Sequence, residues 1–220
     1  MRPRICGVIT GKDPNAVEQA EPFVDLFEVR IDLIGEGWPE LARGLNKPWI
    51  GCNRLRAEGG RWRGSEADRT EQLLRASELG ADIIDIELGT ENLEGLIPQV
   101  KKRSRCLLSF HDFRGTPSPD KMREIVERQQ RTGADICKVV TTAQKSEDNL
   151  AVLQLITGFP GVAVVAFAMG DLGLTSRMLC PLVGGHFTYA SLGRGKESAP
   201  GQITAGELWK IYGMVAEWKA

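Results

Sequence analysis

"TGADICKVVT", residues 132–141, reads as the end of a helix running into a β-strand. Gly133 is the residue type that closes a helix, and ICKVV after it is an apolar, partly β-branched run. The phrase has a counterpart in "LGADIIDIEL", residues 79–88, where Gly80 again separates a helical pattern from a strand-like one. Four matching residues are too few to argue duplication; they mark a recurring turn between a helix and the strand that follows it.

Outward from these two, short β-rich runs recur along the chain: 4–10, 26–33, 48–55, 81–88, 105–112, 134–141, 162–169 and 186–192. Helical patterns lie between most of them. "SEADRTEQLLRASELG" (65–80) opens on a capping serine, and "SPDKMREIVERQQRTG" (118–133) has Pro119 at a first helical position and Gly133 at its end. A last helix, 204–219, follows the eighth run. Eight strand and helix units without a composition break predict an α/β fold, a parallel sheet closed into a (β/α)8 TIM barrel that takes residues 1–220 as a single catalytic domain. A doubly wound open sheet is the alternative. At 220 residues the barrel is compact against the ~250 usual for the fold.

Composition narrows the partners. Lys+Arg of 28 against Asp+Glu of 29 gives a formal net charge of -1, so no global field draws the chain to nucleic acid or to an anionic membrane. The apolar stretch "GVAVVAFAMG" (161–170) falls short of the roughly 18 residues of a membrane span. "MRPRICGVIT" is too short in apolar residues for a signal-peptide core, and the chain reads as cytoplasmic. Five cysteines without a CxxC pair and only two histidines, His111 and His186, argue against a disulfide framework and a zinc site. Cys6, Cys52, Cys106 and Cys137 fall in the strand runs, where a buried thiol serves as a small hydrophobe.

The strands break a rule in a telling way. Strands of a parallel barrel are covered by helices outside and packed inside, so both faces should be apolar. Yet "LFEVRIDL" sets Glu28, Arg30 and Asp32 on one face against Phe27, Val29, Ile31 and Leu33 on the other. By the same two-residue period Asp85 and Glu87 share a face, Lys138 sits amid its strand at the position equivalent to Asp85, and Arg54 and His111 stand at strand ends. Buried ion pairs kept only for structure are the plain alternative. Each buried ion costs several kcal/mol of desolvation, so their accumulation on one face favours a functional site at the C-terminal mouth.

A lysine there is a candidate nucleophile. Burial disfavours an ammonium, so an amine held among apolar neighbours attacks carbonyls as a neutral base. His111 is the proton carrier suited to neutral pH, and Glu87, one strand earlier, is placed to orient its ring. Lysine, histidine and carboxylate together suggest Schiff-base chemistry with proton abstraction beside the carbonyl.

Taken in order, "FEVRID", "NRLRAEGG", "DIEL", "SFHDF", "CKVV", "AMGDLGLTSR" and "ESAPGQ" resemble the type I 3-dehydroquinate dehydratases across essentially the whole chain. The resemblance implies dehydration of 3-dehydroquinate to 3-dehydroshikimate by syn elimination through an imine, with no metal and no organic cofactor. It implies Lys138 as the Schiff-base lysine, His111 as the general acid and base, and Glu87 as the carboxylate that orients the histidine. Arg177 matches the arginine that takes the substrate carboxylate, and a bidentate guanidinium suits that planar anion. Glu28, Arg30 and Arg54 match groups that hold ring hydroxyls. Ser198 and Gln202 belong to a glycine-rich loop, 193–202, that closes over the substrate. Asp32 is implied as a structural partner for the arginines, and Met169 as packing against the imine carbons. The one departure is Cys52, where the family has threonine. The family precedent is a homodimer, and the last helix, with Trp209, Tyr212 and Trp218, is either interface or core.

Two other readings remain at this point. One is a Schiff-base aldolase acting on a sugar phosphate, since "AMGDLG" and "SLGRG" offer glycine-rich turns; the other is a barrel that binds a metabolite without turning it over.

Overall fold

Each of the eight apolar runs becomes one parallel strand in the computed structural model, which describes residues 3–217. The strands are β1 (Ile5–Ile9), β2 (Leu26–Arg30), β3 (Trp49–Cys52), β4 (Ile83–Glu87), β5 (Arg105–His111), β6 (Ile136–Thr142), β7 (Val164–Met169) and β8 (Thr188–Ser191). Between and after them run α1 (Pro14–Ala20), α2 (Ile31–Ile34), α3 (Trp38–Arg43), α4 (Glu66–Glu78), α5 (Leu93–Val100), α6 (Pro119–Thr132), α7 (Asp148–Gly158), α8 (Leu174–Leu179) and α9 (Ala205–Glu217). Trp218 lies outside the described residues. None of the described helices is long and apolar enough to cross a membrane.

The helix ends follow from their capping residues. Ser65 caps α4 by accepting from the Asp68 amide while the Asp68 carboxylate accepts from the Ser65 amide, a reciprocal pair that satisfies two otherwise orphaned donors. Ser118 accepts from the Lys121 amide ahead of Pro119 in α6. Gly133 ends α6 at φ 104°, a left-handed conformation that a side chain would strain. The chain turns there directly into β6.

Neighbours in the sheet run β7-β6-β5-β4-β3-β2-β1-β8, all parallel. The His186 amide donates to the Val164 carbonyl at 2.8 Å and brings the β8 edge to β7, leaving a nearly closed barrel rather than an open doubly wound sheet.

Parity along each strand sets two kinds of core. Outward residues such as Phe27, Val29, Ile84, Ile86, Cys106 and Leu108 pack under the helices with Leu73, Leu96 and Val100. Inward residues Leu26, Ile50, Ile83, Leu107 and Ile136 form an apolar floor inside the barrel. Each such side chain contributes roughly 1.5–3 kcal/mol by leaving water. Above that floor, toward the C-terminal ends, the inward positions turn polar: Glu28 and Arg30, Asp85 and Glu87, Ser109 and His111, and Lys138, all but His111 buried outright.

One strand ends earlier than its alternation predicts. β2 stops at Arg30, and Ile31–Ile34 turn into the short helix α2, so Asp32 is not on the strand's inward face. It still meets Arg30, whose Nε and Nη2 donate to its two carboxylate oxygens at 2.8 Å each. The alternation extended one turn too far because a turn of helix with Ile31 and Ile34 buried has the same apolar content as a strand.

Candidate active site

The inward charges meet in a cavity at the C-terminal mouth. Its lining includes Glu28, Arg30, Arg54, His111, Lys138, Arg177, Ser198 and Gln202, gathered from six strands or the loops after them. The cavity encloses about 560 Å³ of space when its open mouth is included.

Lys138 projects from the middle of β6, level with Ser109 of β5. Its Nζ donates to Asp85 Oδ2 at 2.9 Å, lies 3.8 Å from Glu28 Oε2, and stands 4.1 Å from the centre of the Tyr189 ring. The apolar surroundings anticipated for this amine are therefore corrected: two carboxylates and an aromatic face surround it. Asp85 also accepts from Arg54 Nη2 at 2.7 Å and from Ser109 Oγ at 2.6 Å. Burial alone would raise its pKa; the charges of Arg54 and Lys138 outweigh burial and hold it well below the ordinary carboxylate range.

His111 ends β5 with its ring at the cavity wall. Its Nδ1 lies 2.8 Å from Glu58 Oε2, and its main-chain amide donates to the same oxygen at 3.1 Å. With Glu58 ionised, that oxygen accepts from both the amide and Nδ1–H, which leaves Nε2 as the basic nitrogen. Burial first, then the charges of Arg54 and Lys138, push the imidazolium well below its ordinary range, so the ring is neutral at neutral pH. Phe113 stacks beside it at 6.4 Å.

The carboxylate bonded to the histidine ring is Glu58, not Glu87. Glu87 is on the inward face as expected, but both its oxygens are engaged elsewhere: Oε1 by Arg54 Nη1 and the Leu55 amide at 2.9 Å each, Oε2 by Arg69 Nη1 at 2.7 Å. Arg69 comes from α4 and is wholly buried, with Glu66 taking its other face. Glu87 is the hub that anchors Arg54 against the helix layer. Glu58 sits in the turn after β3, where no strand period could single it out. The signal for it is "NRLRAEGG": Gly59, at φ 80°, reverses the chain, and a Cβ on Gly60 would stand 1.9 Å from the Arg54 carbonyl oxygen, so only this tight turn brings Glu58 back over the barrel. Burial raises the Glu58 carboxyl to about 7.

Arg30, Arg54, Arg69 and Lys138 each have a carboxylate within 2.9 Å. Arg177 differs. It is fully buried in the last turn of α8, its guanidinium 4.3 Å from the centre of the Phe167 ring, and its Nε and Nη2 have no hydrogen-bond partner. Burial lowers it to about 10. A planar anion in the cavity would satisfy two donors at once.

The loop after β8 packs over the mouth. Ser198 donates from its amide and its hydroxyl to Gln202 Oε1 at 2.8 and 3.2 Å, the Gly170 amide donates to the Pro200 carbonyl at 3.3 Å, and Lys196 pairs with Asp13. Met169 and Phe167 form the apolar side of the cavity.

Two further positions complete the account. Cys52 is buried beside Glu28 and Asp85, the three offering ligand atoms within 4.8 Å of one another. Asp85 is already bonded by Arg54 and Lys138, and burial holds the Cys52 thiol protonated, so the donor set suits these cations rather than a metal ion. His186 lies outside the cavity, before β8, with Arg105 3.5 Å away. Tyr212 of α9 is core, its hydroxyl donating to the Met178 carbonyl at 2.8 Å, whereas Trp209 is exposed beside Phe23.

Comparison with known proteins places this geometry. The family model described as type I 3-dehydroquinase matches residues 5–218. The 3-dehydroquinate dehydratase of Dehalococcoides mccartyi (strain BAV1) is 43% identical over 210 residues, covering 96% of this chain and 95% of that protein. That of Methanocaldococcus jannaschii is 34% identical, covering 93% and 96%. Among solved structures, the 3-dehydroquinate dehydratase of Geobacillus kaustophilus superposes with a TM-score of 0.90 at 26% identity, covering 100% of this chain and 93% of that one. The type I enzyme of Clostridium difficile, solved with covalently modified comenic acid, gives 0.85 at 26% identity, covering 98% and 93%.

Proposed function

The chain belongs to the type I 3-dehydroquinase family and has its 3-dehydroquinate dehydratase activity, and from that premise we propose how the residues of its cavity divide the work. The observation that carries the proposal is the joint position of Lys138, neutral His111 and partnerless Arg177 around one cavity. Arg177 takes the substrate carboxylate, and Glu28, Arg30, Arg54, Ser198 and Gln202 hold the ring hydroxyls.

The amine must lose a proton before it attacks. Asp85, bonded to Nζ, is held too acidic to take it, so the acceptor is the basic Nε2 of His111 in the same cavity. Nζ then bonds the C3 ketone carbon, the ketone oxygen takes up protons and leaves as water, and the nitrogen becomes a cationic imine. That cation draws electrons from the C2–H bond, so His111 Nε2 removes the C2 proton and an enamine forms. The C1 hydroxyl leaves with a proton from the same ring, as water, on the same face. Water hydrolyses the resulting imine, releasing 3-dehydroshikimate and the free lysine. Glu58 keeps Nδ1 protonated throughout, so that Nε2 is the nitrogen that exchanges protons.

A free guanidinium takes a phosphate as readily as a carboxylate, so what sets the sugar-phosphate aldolase aside is the family match over residues 5–218. The reading extends to a homodimer working in the cytoplasm, as the family precedent has it. Sedimentation of the purified chain tests the dimer. Absorbance of the conjugated product tests the chemistry: Lys138→Ala abolishes its formation from 3-dehydroquinate, and a folded Lys138→Ala variant with normal turnover would overturn the assignment.

A further inference from the structure

Tyr189 has no part in that division of labour, yet the face of its ring meets the reacting nitrogen. It points inward from β8 and lines the cavity. Phe187 meets its ring edge-on at 5.4 Å and Phe167 at 6.1 Å, so the ring plane is fixed from two sides. Lys138 Nζ lies 4.1 Å from the ring centre. The hydroxyl is buried and has no hydrogen-bond partner. So is Glu28 Oε2, which also lines the cavity and lies 3.8 Å from the same nitrogen. A buried donor left unpaired is costly, and an unpaired donor with an unpaired acceptor beside one nitrogen is a place made for a ligand oxygen.

We propose that Tyr189 is a further substrate-positioning residue of the dehydration. Its ring carries the cationic nitrogen of Lys138, first as ammonium and then as imine, and its hydroxyl donates to the oxygen on the carbon that Nζ attacks. Rings attract cations through the negative charge above their faces, and the attraction grows where water is excluded. During attack, Nζ bonds the ketone carbon while the carbonyl oxygen becomes a hydroxyl and then leaves as water. Tyr189 holds that oxygen by a hydrogen bond and keeps its own proton. Burial, with the charge of Glu28 adding to it, raises the phenol well above its ordinary range, so it remains a donor across the working pH.

The inference rests on Lys138 as the nucleophile, and two variants separate ring from hydroxyl. Tyr189→Phe keeps the ring, and Tyr189→Met keeps most of the volume without either feature. For each, borohydride trapping of the 3-dehydroquinate adduct at Lys138 is timed by mass spectrometry, kcat and KM are measured, and the thermal melt is recorded. Tyr189→Phe is expected to lower kcat/KM by about 2- to 10-fold, the worth of one neutral hydrogen bond. Tyr189→Met is expected to slow adduct formation by a further 2- to 30-fold or so, the range of a cation over a ring.

A folded Tyr189→Met variant with wild-type adduct formation and turnover overturns the inference while leaving Lys138 as nucleophile. If that variant does not fold, Tyr189→Phe decides: wild-type kcat/KM there overturns the hydroxyl's role. An unmodified Lys138 in the wild-type chain overturns the nucleophile assignment, and this inference with it.

Discussion

Glu58 Oε2 accepts hydrogen bonds from both the Nδ1 and the main-chain amide of His111, at 2.8 and 3.1 Å, and this fixes which ring nitrogen faces the cavity. His111 is neutral well below pH 6.5, so it is not the group that titrates near neutrality. Glu58 is, having been raised to about 7 by burial. Protonating it removes the acceptor that holds the tautomer. kcat/KM should therefore fall about tenfold per pH unit below about pH 7, and Glu58→Gln should flatten that limb at a reduced rate. A pH–rate profile unchanged by Glu58→Gln would refute the role.

The same shift has a consequence for stability with a defined sign. The folded carboxyl binds its proton more tightly than the unfolded one, about 7 against 4.5, so its stabilising contribution is full below pH 4.5 and is lost as pH rises to about 7. Melts of wild type and Glu58→Gln followed from pH 5 to 8 should diverge, the variant gaining on the wild type as pH rises. Parallel curves would count against the raised carboxyl.

Arg177 is buried with no protein carboxylate bonded to its guanidinium, and a lone buried charge is expensive. Arg177→Met should raise the melting temperature of the ligand-free protein. It should also raise KM by about 10- to 100-fold, the worth of hydrogen bonds to a charged group. A lower melting temperature with an unchanged KM would show that the guanidinium serves packing, not an anion.

Glu87 is bonded by two buried arginines, so its loss strips each of one of its two carboxylate partners and leaves Arg54 with Asp85 and Arg69 with Glu66 alone. Glu87→Ala should cost about 3–5 kcal/mol of stability in a denaturant titration. His111→Ala should instead melt near the wild type and lose about 10² to 10⁴ in turnover. Exchange of these two phenotypes would reverse the roles given to the residues.

All eight strand runs were legible because strands covered on both faces read as short apolar stretches, and Ser65, Pro119 and Gly133 marked helix ends by their capping chemistry. Parity correctly put Asp85, Glu87 and Lys138 on the inward face. It could not say which inward group touches which. Glu87 is on the expected face, but Arg54 after β3 and Arg69 from α4 reach it first, and a residue on a helix contributes nothing to strand parity. Glu58 was illegible for a related reason: it belongs to a turn shaped by Gly59 and Gly60, and turn residues have no period that points a side chain. The carboxylate beside Lys138 was within reach of the same parity, since Asp85 stands at the equivalent position of β4, yet the apolar floor residues of β6 suggested drier surroundings.

Every role proposed for the cavity depends on Lys138 Nζ forming the covalent imine. Incubation with 3-dehydroquinate and borohydride, digestion, and mass spectrometry of the peptide spanning β6 address it directly. One reduced adduct is expected, on Lys138, with irreversible loss of turnover in proportion to its yield. Full inactivation with Lys138 unmodified, or an adduct on another lysine, would contradict it.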